Sequence, residues 1–231
     1  MGTVLKTILF CKNNNILYDY DMPRPPRMLL SKSFYHVMSR GNNRHVVFHQ
    51  PSDYQMYFSL IARFKVIHPF DLYHYCLMPN HTHFLIQTLD AHEFATFMKK
   101  LNLSYYHYYN KKYGWVGHFW QGRYKSQPVG KDQYFLQCGK YIELNPVRGH
   151  LVINPSDYAY SSYNFYAHGQ DMPLLTEDPL YTTLEFTVLE RQQKYRNIII
   201  SDIIKGSYNE KIWGSASQNH NEQQKIRYHS S

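Results

Sequence analysis

The chain has 231 residues, which is enough for one well-packed domain with extensions or at most two small domains. Its 25 Lys and Arg residues outnumber its 17 Asp and Glu residues, so the formal net charge of +8 favours an anionic partner. No apolar run approaches the ~20 residues that a membrane span needs. The cysteines Cys11, Cys76 and Cys138 are widely separated and form no C-x-x-C pair, so we expect a reduced, cytoplasmic protein.

The first half of the chain predicts a β-α-β-β pattern. Aromatic and β-branched residues at 34–38 indicate a strand, and apolar residues at helical spacing after Ser52 indicate a helix. Two further strands are predicted at 70–77 and 81–88. The Pro-Asn dipeptide between them favours a turn, so these two strands are expected to form a hairpin.

The second half begins with a long helix, because apolar residues keep one face from Phe94 to Tyr108. Three glycines at 114–122 predict a loop or short hairpin after it. Another helix is predicted at 132–144, where Pro146 prevents continuation. The resulting order predicts an α+β fold in which helices cover an antiparallel sheet.

His81 and His83 are the first candidate for chemistry. Residues two apart on a strand point to the same face, so both imidazoles could reach one metal ion. The pair follows a tight turn at the start of an apolar strand, a position that fixes the backbone and leaves room for a ligand. The structural alternative is that both are ordinary, half-exposed strand histidines.

Tyr141 and Asn145 are the second candidate. They are four residues apart, hence neighbours on one helix face, so a phenol nucleophile and an amide ligand could meet at one site. In the alternative interpretation Tyr141 is a core aromatic residue and Asn145 caps the helix before Pro146. We expect Glu143 to point away from the Tyr141–Asn145 face and do not assign it as a base.

A basic, aromatic segment at 94–131 contains no acidic residue. Cations neutralise phosphates and aromatic faces stack on unpaired bases, so this composition favours single-stranded nucleic acid. The turn at 39–44 could cradle a phosphate, or could be a plain polar turn. The candidate nucleic-acid-binding residues from these two regions are Arg40, Asn42, Arg44, Lys99, Lys112, Arg123 and Lys125.

Five strings in this order resemble the REP-associated tyrosine transposases, a branch of the insertion-sequence-200-like, single-tyrosine HUH transposases. They are YHVMSRGNNR at 35–44, LMPNHTHFL at 77–85, HFWQGRYK at 118–125, YIELNPVR at 141–148 and DYAYSS at 157–162. The resemblance implies a ferredoxin-like (RRM-like) antiparallel sheet of the HUH endonuclease type. It also implies His81 and His83 as metal ligands, Asn145 as third ligand, Mg²⁺ or Mn²⁺ as the ion, and Tyr141 as nucleophile.

The resemblance divides the chain into an N-terminal extension at 1–21, a transposase domain at 22–166 and a C-terminal extension at 167–231. We expect the first extension to be dispensable, and the last to contain one helix, at 184–200, before a polar, disordered tail. Thr82 departs from the family, which usually has a bulky hydrophobic residue there. The implied partner is single-stranded DNA with REP-like palindromic hairpins, bound by a monomer or homodimer.

Two other functions remain open at this point. A catalytically silent DNA- or RNA-binding module would use the same sheet and basic segment, and a metal-dependent nuclease would use activated water in place of a tyrosine. Only the transposase interpretation predicts a covalent protein–DNA adduct.

Overall fold

The computed structural model describes residues 9–10, 16–17, 29–130 and 133–204. The expected tail from 215 onward and most of the expected N-terminal extension lie outside these ranges. Two short strands, β1 (Leu9–Phe10) and β2 (Ile16–Leu17), pair antiparallel. None of the helices in the described ranges is long and apolar enough to cross a membrane.

One antiparallel sheet of four strands organises the fold, in the spatial order β4-β5-β3-β6. The chain passes through β3, α1, β4, β5, α2 and β6, which is the split β-α-β connection of a ferredoxin-like fold. The fold class predicted from the sequence is therefore confirmed. The bounds are β3 Phe34–Arg40, α1 Pro51–Ile67, β4 Phe70–Met78, β5 His81–Thr88, α2 Ala91–Tyr113 and β6 Lys125–Pro128.

The two faces of the sheet are covered by different helices. Helices α1 and α2 pack on one face, where Val37 and Phe84 alternate inward from β3 and β5. Helix α3 (Gln133–Glu143) packs on the other face, against β4 and β5. Leu85 and Cys138 are fully buried in this second core. Residues that alternate with the first core along each strand therefore face α3.

Strand β6 was not predicted from the sequence. Its four residues, KSQP, are polar and mostly exposed, and they pair only with β3. An edge strand needs one partner and no buried side chain, so it carries no hydrophobic alternation. The glycine-containing segment before it was correctly expected to be irregular.

The chain after α3 folds back against the end of that helix. A third core joins these elements, in which Leu144 and Val147 pack with Tyr166, Tyr195 and other residues from the last helices. The last helix was predicted at 184–200 and is found four residues later. The bounds are α4 Asn145–Arg148, α5 Tyr163–His168, α6 Pro179–Thr182 and α7 Val188–Ile204.

Candidate active site

His81 and His83 lie at the start of β5, where the β4–β5 turn closes. Their ring centroids are 4.7 Å apart, as expected for residues on one face of a strand. Thr82 between them is fully buried. The turn is held from outside the hairpin, because the Pro79 carbonyl accepts backbone hydrogen bonds from Val47 and Phe48. The fold therefore fixes the backbone that carries the two imidazoles.

A third histidine, His36 of β3, completes this cluster. Its Nε2 lies 2.8 Å from Nδ1 of His83, and the two rings are stacked with centroids 5.0 Å apart. His36 was not predicted from the sequence, because its role depends on the register of β3 against β5, which is a long-range property. The available signal was that His36, Met38 and Arg40 alternate on one face of a predicted strand.

The surroundings favour the neutral form of all three imidazoles, because they lower each pKa. Burial, assisted by the positive charge of Arg40, lowers the pKa of His81 to about 3. Burial and the charge of Arg148 lower the pKa of His36 to about 4. Burial, followed by the neighbouring His81, also lowers the pKa of His83. Neutral imidazole is the form that binds metal ions.

Helix α3 brings Tyr141 to the histidines. The ring of this half-buried tyrosine has its centroid 6.0 Å from that of His36 and 6.3 Å from that of His83. The guanidinium carbon of Arg148 lies 3.9 Å from the centre of the same ring. Arg148 also donates from Nη2 to the Tyr141 carbonyl at 2.5 Å. The phenol is thus placed among imidazoles and one cation.

The opposite side of α3 is anchored by a buried charged group. Glu143 accepts a hydrogen bond from His74 Nδ1 at 2.8 Å, and the other ring nitrogen of His74 lies 3.0 Å from Asp178. Burial lowers the pKa of His74, but its hydrogen bonds and charge interactions with Asp178 and Glu143 outweigh this and raise it to about 9. A Cβ at Gly139 would lie 2.6 Å from His74 Nε2, so glycine lets α3 approach the sheet.

Asn145 begins α4 directly beyond this helix end and is buried. Its Nδ2 donates to the carbonyls of Tyr141 and Ile142, at 3.1 and 3.0 Å. Its Oδ1 faces Arg148 Nη1 at a long 3.4 Å. These contacts match the capping role in the structural alternative. None of these three hydrogen bonds joins Asn145 to His81 or His83.

Two tyrosines of α2 that could compete as nucleophile, Tyr105 and Tyr108, have their hydroxyls engaged elsewhere. Tyr105 is fully buried and donates to the Val47 carbonyl, and Tyr108 donates to Asp53. The side chain of Tyr134 lies outside the described residues. Of the two described competitors, neither hydroxyl faces the histidine cluster.

The candidate ligand residues can be compared with what a metal ion requires. Within the described ranges, no group of three or more His, Cys, Asp or Glu residues is arranged to hold one. The site that the resemblance implies has two histidines and one amide, so it is not a group of this kind. His83 Nε2 is buried and has no hydrogen-bond partner among the described residues, although Nδ1 of the same ring is bonded to His36. In the tautomer that has its proton on Nδ1, His83 Nε2 carries a free lone pair, which is what a metal ligand requires, so His83 fits the implied ion.

The predicted nucleic-acid-binding residues separate into groups. Arg40, Arg123 and Lys125 line one small cavity beside the sheet edge, and Lys99 lines a larger groove together with Arg123. Asn42 and Arg44 lie in a 3-10 turn that is tied to the β4–β5 turn, because Asn80 donates to the Arg44 carbonyl. Lys112 instead forms an ion pair with Asp53 at 2.6 Å, which joins α2 to α1.

Comparison with known proteins gave a family match and similar solved structures. The family described as "Transposase IS200 like" matches residues 30–145, or 116 of the 231 residues. The chain is similar to a solved structure described as "Structure of the REP associates tyrosine transposase bound to a REP hairpin". The TM-score is 0.54 and the identity 19%, over 72% of this chain and 96% of that one.

A second solved structure, of a putative transposase from Deinococcus radiodurans R1, covers 52% of this chain and 96% of its own, at 20% identity and a TM-score of 0.37. Comparison with curated proteins gave no match. The family match spans half of the chain and includes both candidate histidines, Tyr141 and Asn145. This chain therefore belongs to the IS200-like transposase family.

Proposed function

We propose that this chain is a REP-associated tyrosine transposase that cuts and rejoins single-stranded DNA at REP-like palindromic hairpins, with Tyr141 as nucleophile. One observation carries the proposal: Tyr141 lies about 6 Å, ring to ring, from both His36 and His83, at a helix end anchored on its other side. A protein of similar fold is bound to a REP hairpin, which supports a hairpin as partner.

His81, His83 and Asn145 would hold the Mg²⁺ or Mn²⁺ ion. When bound, the ion neutralises charge on the scissile phosphate and polarises its non-bridging oxygens. His36 acts as a positioning residue. If the shared proton of the His36–His83 contact lies on His83 Nδ1, then His83 Nε2 carries the lone pair and points it away from β3.

In the cleavage step, phosphorus exchanges its bond to the 3′ oxygen of the DNA for a bond to the tyrosine. The phenolic oxygen of Tyr141 forms a bond to phosphorus while the bond to the 3′ oxygen breaks, which leaves a 5′-phosphotyrosine and a free 3′-hydroxyl. The phenol loses one proton and the leaving oxygen gains one. Because the ester conserves the bond energy, a second 3′-hydroxyl can reverse the step and join strands. The Arg148 guanidinium on the Tyr141 ring stabilises negative charge on the phenol oxygen.

Adduct formation tests this function. Wild-type protein, mixed with magnesium and a REP-like hairpin labelled at its 3′ end, should form a labelled protein band on a denaturing gel. Tyr141→Phe removes one oxygen and keeps the ring, so it should give no adduct and bind the DNA within a fewfold of wild type. Tyr160→Phe is the matched control, because Tyr160 is also half-buried but stacks on Tyr54 away from the histidines.

The outcomes separate the three candidate functions. Cleavage without an adduct would favour a nuclease that activates water, and binding without cleavage would favour a silent binding module. Adduct formation by Tyr141→Phe would refute the nucleophile, and a labelled adduct only with 5′-labelled DNA would refute the polarity. A Tyr141→Phe chain that fails to fold would favour the purely structural role of Tyr141.

A further inference from the structure

A groove of about 800 Å³ lies between α2 and the glycine-containing segment that precedes β6. This volume is within the range of sites that bind small molecules. Its walls are mostly apolar and aromatic, which makes them suited to a flat ring. The main lining residues are Met98, Leu103, Tyr106, Phe119, Trp120 and Tyr124.

One polar group in this groove is incompletely satisfied. Asn102 lines the groove and donates from Nδ2 to Ser39 Oγ at 3.2 Å. Its Oδ1 is buried without a hydrogen-bond partner among the described residues. An oxygen buried in this way does not face the open groove, so Asn102 forms part of the wall beside Trp120, whose indole nitrogen donates to the Asn102 carbonyl at 3.0 Å.

The groove adjoins a cationic cavity and shares lining residues with it. Gly122 and Arg123 line both, and the second cavity adds Arg40 and Lys125. Arg40 is paired with His81 across β3 and β5, so this cavity begins at the strand end that carries the candidate metal ligands. The whole stretch at 94–131 lacks acidic residues, so a phosphate chain meets no opposing charge from this stretch.

We propose that the groove binds one unpaired nucleobase of the DNA strand, stacked against Tyr106 and Trp120, while Arg40, Arg123 and Lys125 hold the adjoining phosphates. This inference rests on the proposed function, and it adds a base-reading subsite next to the cleavage site. An uncharged peptide or lipid occupant would use the apolar walls but would leave the cations unmatched. A base with its phosphate matches both.

Equilibrium binding tests the subsite without cleavage. The probes are a labelled oligothymidylate of about ten nucleotides and an abasic strand of equal length and charge, compared by fluorescence anisotropy. Wild type should prefer the strand with bases, on the order of tenfold. Tyr106→Ala should lose most of this preference. Tyr160→Ala, the same change at a half-buried tyrosine outside the groove, should retain it.

Tryptophan fluorescence locates the base independently. Oligothymidylate should quench the emission of wild type and of Trp115→Phe, and quenching should be lost in Trp120→Phe. Equal affinity for the two probes, or preference and quenching that survive Tyr106→Ala and Trp120→Phe, would overturn the subsite. These readings do not depend on adduct formation, so a chain that forms the Tyr141 adduct but shows no base preference keeps the proposed function and loses the subsite.

Discussion

Replacing Glu143 by glutamine should destabilise the protein strongly, because this carboxylate is the centre of a buried network. It accepts hydrogen bonds from His74 Nδ1, Ser162 Oγ and Tyr195 Oη, at 2.8, 2.6 and 2.6 Å. The side chains of His74, Glu143 and Asp178 are fully buried. A glutamine side chain at this position would keep the shape but remove one of the two negative charges beside His74, and its amide group would face donors.

The size of the effect follows from burial. Removing one partner of a buried ion pair costs ~3–5 kcal/mol, and Asp178 remains, so we expect the lower end, about 3 kcal/mol. In a chain of this size each kcal/mol shifts the melting temperature by ~2–4 °C, so Glu143→Gln should lower it by about 6–12 °C. Thermal unfolding followed by circular dichroism measures this directly.

Glu93→Gln is the matched control. Glu93 also bonds to a histidine, His68, but its side chain is 44% exposed. Pairs at the surface contribute only ~0–1 kcal/mol, so this variant should melt within a few degrees of wild type. If Glu143→Gln were as stable as Glu93→Gln, the buried network would not contain a charged pair, and the reasoning would be wrong.

Three further outcomes are expected. In the folded protein the pKa of His74 is raised from 6.5 to about 9. The stability that protonated His74 contributes should therefore be complete below pH 6.5 and lost as the pH rises through 9. The melting temperature should fall over this pH range, and it should fall less in Glu143→Gln. EDTA or His83→Ala should abolish the adduct on gels while salt-sensitive hairpin binding persists, and cleavage that tolerates EDTA would remove the metal from the site. His36→Ala should raise the magnesium concentration that half-maximal adduct formation needs by ~10–100-fold, and an unchanged magnesium titration would reduce His36 to a packing residue.

Local patterns predicted the elements that carry the site. Strand β5 has the bounds expected from its apolar run, and α3 differs from the prediction by one residue at each end. Both elements show their period within a few residues, so the sequence alone was sufficient. The pairing of Tyr141 with the histidine strand came from the family resemblance, because no local pattern states which helix packs on which strand.

The missed features are all long-range. His36 lies 47 residues before His83, and His74 lies 104 residues before Asp178. A buried histidine has the same local signal whether it is a core residue, a positioning residue or part of an ion network. The C-terminal segment, expected only as an extension, supplies Asp178 and Tyr195 to the group that holds α3. Its role follows from packing that the sequence pattern does not encode locally.

Helix α3 links the histidine cluster beside Tyr141 to the buried network around Glu143. The two residues are two positions apart on the helix, so their side chains project about 200° from one another. Two polar side-chain contacts join the C-terminal helix α7 to α3: Lys140 Nζ donates to Asp202 at 2.6 Å, and Tyr195 Oη donates to Glu143 at 2.6 Å. Tyr195→Phe removes the second of these contacts and should slow adduct formation at saturating DNA, because the nucleophile loses its fixed placement.

Tyr181→Phe is the matched control for this last prediction. Tyr181 is also buried in the C-terminal segment, but its hydroxyl donates to the Tyr166 carbonyl at 2.9 Å and does not touch Glu143. Each variant leaves one buried acceptor unpaired, so each should lose a similar ~1–3 kcal/mol of stability. With DNA binding equal in both, a slower adduct rate in Tyr195→Phe alone would show that the C-terminal segment positions Tyr141. Equal rates would limit the network to stability.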